Sequence, residues 1–568
     1  MEASRISRFV SVNVPVNDVN IRLAVTRLPV MVVRWIDVNL LALGREMRLS
    51  YLPPLMVYVA AGISSLTEIV GTFYVKERLG LSAEFLAALG FWMALPWALK
   101  MPLGHLVDLM WRWKSLLVYL GAGLIATSLL IMIGLLGHDE AMREFAPLAQ
   151  WYVLASLLAP LGYVLQDVVA DAMTVEAVPR VEPNGRLISP EERKQMHITM
   201  QTLGRVAIIG GGVLVAVANV VLMKDVASFS DVDKAAAYLT VYQLALVIPL
   251  VSVCGIWLAG WLKWRELKQH AARGLDRNEI DILLGVHNDA PPVNWWILGG
   301  GLAFTVVSLG VGLVQIPYAE EIIFCLSMVI VLFLIRQLTA ELDSDARNVL
   351  VGTALLVFVF RAMPTPGAGS TWWMIDELGF DQQFIATLSL ISSVLTLAGM
   401  FIFRRFMAER SMAYVIGALT VAGTILSLPV ISMYFGLHEW TSAHTGGVVD
   451  ARFIAVIDTA LESPLGQISM IPMLAWIANS APEKLKATFF AVMASFTNLA
   501  LSASKLATKY VNQVFTVTRE VRDTETGEIL VSADYSELGT LLITVSILGF
   551  ILPMLVVIMI RYTRLRSA

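Results

Sequence analysis

Four carboxylates stand in two pairs inside stretches that are otherwise apolar. Asp167 and Asp171 lie in "LGYVLQDVVADAMTVE", which begins at Leu161, and Asp458 and Glu462 lie in "VIDTALESPLG". A spacing of four residues leaves side chains only about 40° apart around an α-helix, so each pair occupies one face. A charge at the centre of a membrane helix costs roughly 2.5–3.5 kcal/mol on insertion scales, so such groups turn to a bundle interior and mark a pathway. Two like charges facing one space repel until a proton or a cation compensates them. The chemistry to expect is proton carriage, or the gripping of hydrogen-bond donors on a cargo. The other reading is structural, with Lys100, Arg205 and Arg361 as fixed counter-ions.

The remaining intramembrane charges are few. Glu68, Lys100, Arg205, Arg361 and Lys505 each fall inside an apolar run. Arg205 and Arg361 keep their charge and present a planar fork suited to carboxylates, which makes them candidates for an anionic cargo. Trp97 and Trp373 are candidates for stacking on a flat ring, with interfacial anchoring as the alternative. Glu176, near the end of its helix, reads as a snorkelling or latching group. No phosphate loop, paired metal-ligand spacing or nucleophile elbow occurs, so no cofactor, metal or enzymatic activity is expected.

These groups are carried on helices, and composition says of what kind. Of 568 residues, 57% are hydrophobic and 15% charged, with mean hydropathy +0.71, which describes a polytopic membrane protein. The net charge of −4 and the lack of a basic tract argue against nucleic acid as a partner. Cys254 and Cys325 both lie in apolar runs and read as small buried hydrophobes. Stretches long enough to span, about 20 residues each, fall near 51–75, 84–106, 115–137, 147–175, 196–222 and 238–262. After a polar linker at 263–293, an extra pair falls near 294–314 and 320–340. Six more follow near 346–366, 382–404, 411–436, 450–478, 485–510 and 538–561, for fourteen transmembrane helices.

Lys and Arg mark the cytoplasmic loops. Arg45 and Arg48, Arg112 and Lys114, Arg180 to Lys194, Lys263 to Arg277, Arg404 to Arg410, and Arg561 to Arg566 all fall on one side of this alternation. The other side holds "HDEAMRE" and "TREVRDTETGEILVSADYSE", both net acidic. Both termini are therefore expected in the cytoplasm, in an inner cell membrane, with residues 1–50 forming a cytoplasmic segment. "RLGLSAEFLAAL" from Arg78 and "ELGFDQQFIATL" from Glu377 repeat Leu, Gly, Phe, Ala and Leu in register at an offset of 299 residues. Two six-helix bundles, 51–262 and 341–568, then stand in the major facilitator arrangement, with 294–340 inserted between them. "PLGHLVDLMWRWK" approximates that superfamily's signature loop, which makes Asp108 and Arg112 candidates for a gate between conformations.

Four segments carry a closer resemblance: "ALPWALKMPLGHLVD", "PLGYVLQDVVADAMTVE", "FVFRAMPTPGAGSTWWMIDELGF" and "VIDTALESPLGQISMIPMLAWIANSAPEKLKATFFAVMASFTNLA". The chain resembles the folate-biopterin transporter family, a branch of the major facilitator superfamily. The resemblance implies uptake of folate- or pterin-like compounds with protons, and it points to Lys100, Asp167, Asp171, Arg361, Asp458 and Asn498 as functional positions. "WWMIDELGF" departs from the family's Phe- and Tyr-rich string, and the extra helix pair lies outside its twelve-helix core. The expectation is a monomeric, proton-coupled symporter of an anionic small molecule in a lipid bilayer. In it Lys100, Arg205, Arg361, Trp97, Trp373 and Asn498 hold substrate, and Asp167, Asp171, Asp458 and Glu462 handle the proton. Another amphipathic anion, muropeptide-like or amino-acid-derived, suits the same residues, and a membrane sensor or scaffold is the reading from a different class.

Overall fold

Apolar runs become helices, and polar side chains at their starts absorb the amide groups that a helix leaves unpaired. Ser189 and Glu192 form a reciprocal capping box, while Asp381 and Asp450 each accept the amide three residues on, from Phe384 and Phe453. The computed structural model describes residues 42–568 apart from 99, 111–112, 180–185, 187, 273–294, 314–316, 340–342, 404–405, 407–409, 467, 470–472, 474–485, 523–528, 564 and 568. The chain divides into two units, Met1–Arg48 and Leu49–Ala568. In the first, Ala42–Arg45 forms one helical turn.

The second unit is a helical bundle. Its first six spans are α1 (Leu49–Tyr74), α2 (Ala83–Ala98 continued by Lys100–Leu109), α3 (Lys114–Gly137), α4 (Leu148–Ala177), α5 (Pro190–Leu222) and α6 (Asp231–Ala245 continued by Val247–Ala272). Then come α7 (Trp295–Leu313) and α8 (Ala319–Thr339). The rest is α9 (Ser344–Arg361), α10 (Ala368–Asp376), α11 (Gln382–Ile402), α12 (Met412–Tyr434), α13 (Ala451–Glu462), α14 (Lys486–Val514) and α15 (Leu538–Tyr562). Among the described residues nine helices are long and apolar enough to cross a membrane, so length and apolarity do not by themselves establish the expected fourteen.

Two boundaries differ from expectation for a visible reason. The span expected at 346–366 stops at Arg361, because Pro364 and Pro366 cannot continue a helix and Gly367 takes φ +77°; the chain then resumes as α10 to Asp376. The span expected at 450–478 has α13 ending at Glu462, where Pro464 follows in a 3₁₀ turn. Between α14 and α15, Val521–Arg522 pairs antiparallel with Ile529–Val531, a small hairpin where an acidic loop was expected. The cysteines also correct the reading: both are exposed on the outside of the bundle, where apolar residues face lipid.

Close helix crossings need residues without side chains. α3 packs along α4, and a Cβ on Gly121 would stand 2.6 Å from the Gly162 carbonyl oxygen. α1 crosses α5 where a Cβ on Gly211 would meet Gly62 Cα at 2.9 Å. α5 packs on α11, and α2 on α14, joining the set α1–α6 to the set α9–α15.

The extra pair is attached to both α2 and α14. Trp92 of α2 donates to Glu320 at 3.2 Å, and Lys509 of α14 reaches Glu320 at 3.2 Å and Glu321 at 3.4 Å. Tyr510 of α14 donates to Glu321 as well. Beneath these polar contacts Phe91, Leu95, Ile323 and Leu506 form one apolar cluster, and Gly301 of α7 lies against Pro102 of α2.

Candidate functional site

The first carboxylate pair lies on α4, seven and eleven residues beyond the proline that interrupts that helix at Pro160. Lys100 of α2 binds both members, its Nζ 2.6 Å from Asp167 Oδ2 and 2.7 Å from Asp171 Oδ2. Asp167 and Lys100 are largely buried, with 17% and 19% of their side chains exposed, whereas 41% of Asp171 is exposed. Tyr58 of α1, itself buried, donates to Asp171 Oδ1 at 2.6 Å. Charge-assisted hydrogen bonds of this length are the strong ones. One ammonium shared by two carboxylates leaves the trio with a single negative charge, which one proton neutralises.

Arg205 of α5 lies within Coulombic reach of Asp167, of Tyr58 and of Arg361. Arg361 closes α9, in the other set of helices, and its guanidinium also reaches Met473 Sδ at 3.9 Å. Two guanidinium groups in the bundle interior therefore repel across the boundary between the sets.

The second pair is built differently. Asp458 is 8% exposed, and its buried Oδ1 has no hydrogen-bond partner among the described residues. Glu462 is exposed and lines a cavity of about 470 Å³ with the hydroxyl groups of Ser389, Ser392, Thr396, Thr459 and Ser463. Among the described residues no lysine or arginine forms an ion pair with either carboxylate. At the offset of 299 residues Asp167 and Asp171 fall on Gly466 and Met470, so Asp458 and Glu462 are not a register copy of the first pair, and Lys100 falls on Gly399. That glycine is needed for another purpose: a Cβ there would stand 2.7 Å from Pro464 Cα.

The other sequence-derived candidates fall into three groups. Asn498 of α14 donates to the Trp97 carbonyl of α2 at 3.3 Å, so these two residues meet across the two sets. The Trp97 ring packs against the cluster of Val107, Leu117 and Val164. Trp373 is 4% exposed and lies 5.7 Å from the Tyr434 ring, in a packed core. The proposed gating pair cannot be placed, since Arg112 and the Asp108 side chain lie outside the described residues. Nearby, Lys114 binds Glu176 at 2.6 Å, the latch expected of that glutamate. Glu68 of α1 lies within Coulombic reach of Lys505 of α14.

Polar contacts also join the sets at the end of the bundle that carries the hairpin. Lys76 binds Asp376 at 2.5 Å, and Tyr535 donates to the same carboxylate at 2.5 Å. Gln382 donates to the Tyr238 hydroxyl at 2.8 Å, and Gln513 to Glu84 at 2.5 Å. The Arg519 guanidinium lies over Trp372 at 5.4 Å, and Ala83 of α2 packs in the same cluster as Trp372. Breaking the ion pair should loosen this end. With both native cysteines replaced by alanine, Ala83→Cys should react with a membrane-impermeant maleimide about fivefold faster once Lys76→Met is added, the shift expected for roughly 1 kcal/mol. Equal labelling rates would show that the pair does not hold the sets together.

Solved structures of similar shape are transporters. A POT family transporter in complex with 5-aminolevulinic acid matches 91% of this chain and 95% of its own with a TM-score of 0.57 at 12% identity. A nucleoside transporter matches 91% of this chain and 100% of its own with a TM-score of 0.50 at 11% identity. At that identity they establish the fold, a major facilitator bundle. By sequence, a folate-biopterin transporter of Synechocystis is 22% identical over 460 residues, 81% of this chain and 74% of the relative. A putative folate transporter 2 of Plasmodium berghei is 24% identical over 174 residues, 29% of this chain and 35% of the relative. The BT1 family matches residues 61–566, a stretch that runs from within α1 through α15 and holds Lys100, both carboxylate pairs and both arginines. That continuity from first span to last, on a transporter fold, decides the kinship: the chain is a multi-pass membrane transporter and belongs to the BT1 family.

Proposed function

We propose that the protein is a proton-coupled symporter of a folate- or pterin-like anion, working by alternating access between the bundles 51–262 and 341–568. The observation that carries this reading is the trio in which Lys100 Nζ lies within 2.7 Å of both Asp167 and Asp171, with Arg205 within Coulombic reach of Asp167 and of Arg361. A substrate carboxylate that engages Arg205 and Arg361 withdraws positive charge from Asp167. A proton on the trio of Lys100, Asp167 and Asp171 replaces it, so cargo and proton are taken up together. Glu462, in its hydroxyl-lined cavity, provides an acceptor for the amino and ring N–H groups of a heterocycle, with Asp458 buried one helical turn away. Trp97, Trp373 and Asn498 contribute by shaping the helices around this space. Asp108 and Arg112 serve as the gate between conformations.

The charge pattern of the loops puts the hairpin end outside an inner cell membrane and both termini in the cytoplasm. On this reading the ion pair and hydrogen bonds at that end hold the outer side together. The unit that works is a monomer.

Proteoliposomes test the reading. With folic acid as the probe, an imposed inward proton gradient should drive accumulation in wild-type vesicles. Asp171→Asn should lower it to background while folding is kept, because the amide still accepts from Tyr58 but no longer offers a site for a proton. Uptake that ignores the gradient would remove the proton, and failure of excess muropeptide-like or amino-acid-derived anions to compete would support the folate-like cargo.

A further inference from the structure

The tyrosine that meets Asp171 has a role of its own, and the helix crossing around it shows what holds it in place. Asp171 has each oxygen engaged by a different helix: Oδ1 by Tyr58 of α1 at 2.6 Å and Oδ2 by Lys100 of α2 at 2.7 Å. Its side chain is 41% exposed. A carboxylate with one tether in open space can rotate about its side-chain bonds, while two donors from different directions fix its plane. Tyr58 is itself locked. It is 5% exposed, and its ring edge occupies the space that a side chain at Gly204 of α5 would need: a Cβ there would stand 2.9 Å from Cε2 and 3.1 Å from Cδ2. Gly204 precedes Arg205, so one turn of α5 carries both the slot for Tyr58 and the guanidinium shared with Asp167.

We propose that Tyr58 is a positioning residue that holds Asp171 in register with Lys100, and that Gly204 is the slot that keeps Tyr58 there. The proposal rests on the reading of the Lys100 trio as the coupling site. Its consequence is mechanical. A displacement of α5 against α1 moves the phenol, and the phenol moves a carboxylate on α4. Binding at Arg205 and the state of Asp171 are thereby linked through packing as well as through charge.

Tyr58→Phe removes one oxygen and no charge, and Gly204→Ala leaves every polar group intact while pushing the ring aside. Both variants, their double and wild type are reconstituted with folic acid as the probe. Two rates are measured, equilibrium exchange without a gradient and accumulation under an imposed proton gradient. Each single variant should keep the KM for exchange within about twofold and lose roughly tenfold or more in gradient-driven accumulation, the loss expected for one hydrogen bond to a charged group. The double variant should be no worse than either single one, because both act on one contact. Where Gly204→Ala fails to fold, Tyr58→Phe carries the test. A gradient-responsive wild type with fully active Tyr58→Phe overturns this proposal alone. A wild type that exchanges folic acid but ignores the gradient overturns the coupling reading itself. Equal losses in exchange and accumulation would reduce Tyr58 to a structural residue.

Discussion

Lys100→Met is expected to abolish gradient-driven uptake and to cost about 3–5 kcal/mol of stability, the price of leaving a buried charge without its partner. The size follows from the geometry. One ammonium, 19% exposed, lies within 2.7 Å of both carboxylates, and Asp167 is only 17% exposed. Without the lysine the two carboxylates repel from four residues apart on one helix face. Loss of function alone would not separate misfolding from a mechanistic role. The triple variant Lys100→Met, Asp167→Asn, Asp171→Asn does, since replacing a whole buried charged group with neutral residues of similar volume is often close to neutral. It should recover thermal stability in detergent without recovering accumulation. Wild-type uptake by Lys100→Met would mean that the trio is neither a coupling site nor a structural necessity.

Arg361→Gln should act on affinity instead. A charge-assisted hydrogen bond is worth about 1.5–3 kcal/mol, so the KM for an anionic substrate should rise roughly 10- to 150-fold. Folding is expected to persist, because the substitution also removes the repulsion between Arg361 and Arg205. The specific check is a double-mutant cycle against the ligand. A folic acid analogue with its carboxylates converted to amides should bind wild type and Arg361→Gln alike, whereas folic acid itself should distinguish them. If both ligands lose affinity equally, Arg361 acts on the shape of the cavity and not on substrate charge.

The sequence made some of this site legible and concealed the rest for physical reasons. Asp167, Asp171 and Lys100 stand out because charges inside an apolar helix are costly, and the structure joins these three. Cost does not reveal partnership, however. Asp458 and Glu462 repeat the four-residue spacing, but among the described residues no lysine or arginine forms an ion pair with them. Tyr58 gave no signal at all: a tyrosine in an apolar helix is ordinary, and only the meeting of α1, α4 and α5 shows what its hydroxyl does. The fold was easier to read than its joints. Hydropathy located the spans, while the break after Arg361 was written in Pro364, Pro366 and Gly367, residues that a count of apolar positions passes over. The cysteines misled because in a membrane protein an apolar run says nothing about which side of the helix faces inward.

The attachment of α7 and α8 bears on how cargo reaches the bundle. Their contacts cover the seam between α2 and α14, with Ile323 packed beside Phe91, Leu95 and Leu506 and with Glu320 and Glu321 tied to Trp92, Lys509 and Tyr510. A seam covered in this way has no opening for a molecule dissolved among lipid tails. On this flank the described residues leave no sideways entrance from the bilayer. A flank closed in this way would favour solutes too polar to dissolve in the bilayer over greasy amphiphiles that enter from it.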